Sequence, residues 1–222
     1  MPRTDSRPDQ SSATPRSRKG ALTRARLVEA AKAVFEESGF LEARISDIAD
    51  RAGMSHGSFY HYFESKEQIF REVAEVQEAL LTGPGEDGVD DGPQSTVFER
   101  IERANRRYFR RYRDSSKIMG VIEEVSRYDD YVNDARIRRQ KHFADRAEVA
   151  IRQLQAEGVA DPLIDPSIAA MALGSMVGRF AELWLVEAWS DIDFDQAVTQ
   201  VSRLWANAIG LRTPTKRARN SA

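Results

Sequence analysis

The chain has 222 residues, of which 41% are hydrophobic and 31% charged, and its formal net charge is −2. That supports a sizeable core in one large or two small domains, while the overall charge selects no partner. Cysteine is absent, which excludes disulfides, thiolate zinc sites and thiol catalysis. The N-terminus lacks the apolar core of a signal peptide and no apolar run reads as long enough to span a bilayer, so the expectation is a soluble, cytoplasmic protein.

Charge is less even locally. Residues 10–28 carry Arg16, Arg18, Lys19, Arg24 and Arg26 and no acid, and the last eleven residues carry Arg212, Lys216, Arg217 and Arg219. Residues 1–19 and 212–222 are expected to be disordered basic ends. Leu27, Ala31, Val34 and Phe35 recur at helical spacing, and Gly39 ends that helix. Ile45, Ile48, Ala49 and Ala52 form a second stripe, which stops at Gly53. A short helix follows from His56 to about Phe63, with Ser55 as N-cap. Ser65 with Gln68 resembles a capping box and opens a helix to about Leu81. Residues 83–94, rich in glycine, proline and acids, read as a linker between a domain over 20–82 and another over 95–211. Beyond it the pattern is helical throughout: Ser95 to Arg113, Ser116 to Ser126, Asp130 to Glu157, Ser167 to Ala188 and Phe194 to Gly210. No internal repeat is visible. The fold class is all-α.

The segment from Met54 to Phe63 contains no charged residue. A short helix, a tight turn at Ala52-Gly53-Met54 and a second short helix make a helix-turn-helix, whose second helix enters the DNA major groove. On a helical projection Phe59 and Phe63 point into the domain, while Gly57, Ser58, Tyr60 and His61 point outward. An acid on that outer face would meet phosphate repulsion. A hydroxyl, an imidazole and a phenol donate to bases or phosphates, and Gly57 lets the helix lie close. His56 and His61 are five apart and face apart, a spacing unsuited to a metal pair. No metal and no cofactor are expected. With no nucleophile motif or glycine-rich phosphate loop, the chain does not read as an enzyme.

The run "TRARLVEAAKAVFEESGF" followed by "ISDIADRAGMSHGSFYHYFESKEQIF" resembles the TetR/AcrR family of regulators over about Thr23 to Phe70. The resemblance implies an all-helical homodimer with a three-helix DNA-binding head and a C-terminal body that usually binds a small ligand. It implies phosphate contacts from Tyr60 and Lys66, and base readout from His56, Ser58 and His61. Ser55, Gly57 and Arg24 complete the expected DNA-binding set. Where the family commonly has two small hydroxyl residues before the second helix, this chain has Ala43 and Arg44. The cap hydroxyl is missing, and Arg44 can supply a charged phosphate contact instead.

The segment Ser167 to Ala188 is apolar nearly all round, so it is expected to be buried on two sides. Its small stripe (Ala170, Gly174, Gly178, Ala181) is assigned to a partner subunit, together with Val198, Val201 and Trp205 of the last helix. Its large stripe is assigned to the body's interior. An effector cavity is expected from Tyr108, Tyr112, Met119, Ile122, Tyr128, Phe143, Met176, Phe180 and Trp184, though aromatics and methionine at helical spacing are usually core. The expected function is a regulator, a repressor released from a pseudo-palindromic operator by a small apolar or amphipathic effector. The alternative is a DNA-binding activator or architectural protein without an effector.

Overall fold

A computed structural model describes residues 18–83 and 95–211; the expectations for 1–17, 84–94 and 212–222 lie outside the described residues. The described residues form helices joined by short connectors, with no strand. They divide into two compact units between Val73 and Ala74.

In the first unit, α1 spans Arg18–Glu42 and is interrupted at Gly39 (φ 71°, ψ 177°). α2 spans Ile45–Arg51, α3 is His56–Phe59, and α4 is Lys66–Thr82. The apolar stripes read from the sequence meet: Leu27, Ala31, Phe35, Ile48, Ala49, Phe59, Phe63, Ile69, Phe70 and Val73 are all at most 1% exposed. Each of the large side chains contributes about 1.5–3 kcal/mol on burial. Phe70 receives Phe35 and Phe40 edge-on, each with its ring centre 4.9 Å away. The connector between α2 and α3 needs a left-handed residue, and Gly53 supplies it at φ 67°. α2 starts at Arg44 without a side-chain cap, as the missing hydroxyl implies. At the start of α4, Ser65 Oγ accepts from Gln68 N (3.2 Å), but the reciprocal bond is displaced by one residue: Gln68 Oε1 accepts from Glu64 N (2.6 Å).

In the second unit α5 is Val97–Asp114, α6 Ser116–Val125, α7 Asp130–Ala156, α8 Pro166–Leu185 and α9 Phe194–Ala208. Caps mark the starts. Thr96 and Glu99 form a reciprocal capping box, and Asp129, Asp165 and Asp193 each accept from a backbone N–H of their own first turn. α7 packs chiefly along α8, and α5 along α9.

The boundary expected in the 83–94 loop falls inside α4. Its C-terminal half is drawn to the body by charge: Arg139 Nη1 donates to Glu78 Oε1 (3.0 Å), Arg138 pairs with Glu75, and Arg111 Nη1 donates to the terminal carbonyls of Leu80 (2.9 Å) and Gly83 (2.8 Å). Two expectations for α8 are corrected. By length and composition Pro166–Leu185 does pass for a membrane span, although it carries Arg179 and Glu182. Its small stripe lies largely inside the chain: Ala170 and Ala181 are at most 1% exposed, and a Cβ added at Gly178 would sit 3.9 Å from the Tyr108 hydroxyl. Small residues are needed there so that α5 and α7 can approach. Val198 and Val201 of α9 are likewise buried in the chain, and Trp205 packs on the cluster of Ile151, Leu154, Leu173 and Ile209. The interface set named from the sequence is therefore mostly this chain's own core.

Candidate nucleic-acid interface

The outward residues of the helix-turn-helix sit together. Arg44, Ser55, His56, Gly57, Tyr60 and His61 are exposed and Ser58 is half-buried. Phe59 and Phe63 turn inward, their ring centres 5.8 Å apart. α3 is a single turn, shorter than the expected 56–63. From Tyr60 the chain continues in tight turns, with Tyr62 N donating to Phe59 O (2.9 Å) and Phe63 N to Phe59 O (3.1 Å). Ser55 caps it through Ser58 N (3.2 Å), and its hydroxyl also lies 2.7 Å from the Ser58 hydroxyl. Those two hydroxyls are thus partly committed to each other. The His56 imidazole meets the Tyr60 ring edge-on at 5.3 Å, which orders both side chains over the exposed face. A Cβ on Gly57 would meet nothing within 4 Å, so this glycine is not required by the head's own packing.

Two cations expected at phosphate have their donors turned inward. Lys66 Nζ donates to the carbonyls of Phe40 (2.8 Å), Leu41 (3.0 Å) and Ala43 (3.0 Å). An ammonium has three N–H bonds, so all are used. Arg24 donates through Nη1 to Tyr62 O (2.7 Å) and through Nε to Glu72 Oε1 (3.0 Å), and pairs with Glu72 again through Nη2. Its guanidinium also stacks 4.1 Å from the Phe63 ring centre. Arg26, which the sequence reading left in a general basic run, donates to Ala52 O (2.7 Å). Arg44, at the N-cap of α2, is exposed.

In the body, most of the expected effector-lining residues form one aromatic interior. Tyr108 lies 5.3 Å from Phe143 and 5.8 Å from Tyr112, and Trp184 5.6 Å from Phe180, between ring centres. Met119 and Ile122 are fully buried. Tyr128, after the end of α6, is 58% exposed and stands apart from this interior. Met176 and Phe180 instead border a groove of about 240 Å³ between α8 and α9, with Ile192, Gln196, Ala197, Gln200, Val201 and Leu204.

Sequence reasoning missed a buried charge network. Arg139 bridges Glu78 and Glu123 (3.0 and 3.3 Å), and Arg136 Nε lies 2.6 Å from Glu123 Oε2. Among the described residues Glu78 Oε2 and the Tyr112 hydroxyl have no hydrogen-bond partner. Burial, only partly offset by Arg139, pushes the Glu78 carboxyl up to about 7, and burial raises the Tyr112 phenol. The only signal in the sequence is charge at a spacing of three, Glu75 with Glu78 and Arg136 with Arg139, which is indistinguishable from a solvated face until the partners are known. Among the described residues no group of acids and histidines could hold a metal ion.

A short helix, a glycine turn and a second short helix presenting uncharged donors define a helix-turn-helix DNA-binding protein. Residues 27–73 match the model of the bacterial regulatory proteins of the tetR family. The HTH-type transcriptional repressor KstR2 of Mycolicibacterium smegmatis is 29% identical over 157 residues, 67% of this chain and 70% of that one. The uncharacterized HTH-type transcriptional regulator YdgC of Bacillus subtilis is 47% identical over 55 residues, 25% of this chain and 28% of its own length. That likeness covers a quarter of the chain. The crystal structure of FadR from Bacillus subtilis in complex with stearoyl-CoA superposes with a TM-score of 0.66 over 83% of this chain and 98% of that one, at 17% identity, a likeness of fold. Over residues 27–73 the chain carries the DNA-binding head of the tetR family of bacterial regulators.

Proposed function

We propose that the protein is a homodimeric, sequence-specific repressor that two heads anchor in successive major grooves of a pseudo-palindromic operator. The observation that carries this is the exposed, acid-free face of residues 54–63, with His56, Tyr60 and His61 outward and Arg44 beside it. Base edges are read by the imidazoles and the phenol or Arg44 meets phosphate. KstR2, to which the chain is similar over two thirds of its length, is named a repressor. The test is selection of genomic fragments by the purified protein, followed by gel shifts across a salt series. Binding that is indifferent to both sequence and salt would end this reading.

Dimerisation is supported by α8 and α9, on a face other than the small stripe. Ile168 (63%) and Met171 (62%) of α8 and Leu204 (57%) of α9 are exposed, and Leu204 borders the apolar groove; only 28% of the apolar window of α8 is buried in the single chain. A two-fold partner covers such a face.

The body's aromatic interior supports an apolar or amphipathic effector that favours a state with wrongly spaced heads. FadR, similar in fold, is described in complex with stearoyl-CoA. The close ring packing around Tyr108 and Tyr112 favours the second reading, a regulator without an effector. A thermal-shift screen of hydrophobic compounds, with operator titrations of every hit, separates the two.

A further inference from the structure

Arg24, Arg26 and Lys66 share an arrangement that a basic run in a sequence does not disclose. The head has three connectors, and each is held by one cation. Lys66 Nζ gathers the carbonyls of Phe40, Leu41 and Ala43, directly before Arg44 and α2. Arg26 takes Ala52 O, on the turn between α2 and α3. Arg24 takes Tyr62 O, on the turns between α3 and α4, and is itself fixed by Glu72 and the Phe63 ring.

We infer that Arg24, Arg26 and Lys66 are positioning residues of the DNA interface, which set the angles of α2 and the recognition turn through backbone carbonyls, and that none of them is a phosphate ligand. The inference rests on the duplex-binding reading above.

The chemistry favours cations for the task. The carbonyls of Phe40, Leu41 and Ala52 lie at helix C-termini, where they lack intrahelical partners and carry partial negative charge, and those of Ala43 and Tyr62 lie in the connectors that follow. A charged donor satisfies several at once and more strongly than a neutral one. The connectors fix where α2 and α3 stand relative to α1 and α4, because α3, at four residues, has too little surface to fix itself. Arg24 has only 17% of its side chain exposed, and turning any of the three toward phosphate would strip a connector of its donor. Arg44, by contrast, is exposed and serves as the control for a true phosphate contact.

The experiment uses full-length protein and a duplex selected by the wild type from a random library. Affinity is measured from 50 to 300 mM salt for the wild type, Lys66→Met, Arg26→Met and Arg44→Ala, with circular dichroism at low temperature confirming that each is folded. A lost phosphate contact makes the plot of log affinity against log salt shallower by about 0.9. Arg44→Ala is expected to do that. Lys66→Met and Arg26→Met are expected to lose about tenfold in affinity at every salt concentration, on lines parallel to the wild type. Slopes shallower by about 0.9 in those two would make them phosphate ligands and overturn the inference. So would unchanged affinity in folded protein, which would leave them a role in stability alone. Should Lys66→Met unfold, Arg26→Met decides by the same criteria. A wild type that selects no duplex would instead defeat the DNA-binding reading itself.

Discussion

Replacing Glu78 by glutamine should abolish a specific part of the protein's pH dependence. Glu78 is 5% exposed, one carboxylate oxygen accepts from Arg139 and the other has no partner among the described residues. Its pKa rises from 4.5 to about 7, burial being the largest cause, with Glu123 adding repulsion and Arg139 and Arg136 opposing. Glu75, Tyr108 and Tyr112 complete the titratable surroundings. The native state therefore holds a proton up to about pH 7 that the unfolded chain releases near 4.5. Where the native state binds more protons, stability falls as pH rises. The Glu78 contribution is thus fully present below about pH 4.5, declines to about pH 7 and is level above. A rise of about 2.5 units at 1.36 kcal/mol per unit amounts to about 3 kcal/mol. Ionisations far from Glu78 are common to wild type and Glu78→Gln and cancel in the difference. The three tryptophans, Trp184, Trp189 and Trp205, all lie in the body, so urea unfolding followed by tryptophan fluorescence at fixed protein concentration reads the unit that contains Glu78. Between pH 5 and 8 the variant should gain about 2–3 kcal/mol relative to the wild type. A difference that stays flat within about 0.5 kcal/mol would show that Arg139 fully compensates the carboxylate and that the reasoning from burial is wrong.

Further outcomes follow from the head and the groove. His61→Ala should relax sequence preference by about 1–3 kcal/mol at the positions it reads, seen as a broadened selection from a random library; an unchanged selection would remove His61 from the readout. Gly57→Leu should leave the melting temperature within a degree or two, since its Cβ meets nothing within 4 Å, yet weaken operator binding at least tenfold because the helix can no longer lie close to the groove. Equal affinity would mean that residue 57 faces solvent in the complex. Met171→Glu with Leu204→Glu should shift light scattering from dimer to monomer; a dimer unaffected by the pair would place the interface elsewhere. Ser55→Ala should lower head stability by about 1 kcal/mol through loss of the α3 cap, measured by urea unfolding followed by circular dichroism.

The sequence by itself determined the helices and the class of protein. Apolar spacing located α1 through α9, and Gly53 and Ser55 placed the turn and cap of the helix-turn-helix, because these signals are local: a period, a missing Cβ, a hydroxyl three residues before an N–H. Phe59 and Phe63 inward against Gly57, Tyr60 and His61 outward was likewise a matter of projection along one short segment. What tertiary structure alone decided was the partner of each long or small side chain. Lys66 and Arg24 have the composition of phosphate ligands, but their reach of several ångströms lets them bond to carbonyls 20 to 40 residues away, and no local pattern names that carbonyl. The small stripe of α8 announces a close approach without naming the helix that approaches: the pattern suits a second copy, but at Ala170, Gly178 and Ala181 the same chain fills the space. Glu78, Glu123, Arg136 and Arg139 sit in sequence at spacings suited to solvated faces. Only the convergence of three helices, α4, α6 and α7, turns them into a buried network, because burial is a property of the neighbours and not of the residue.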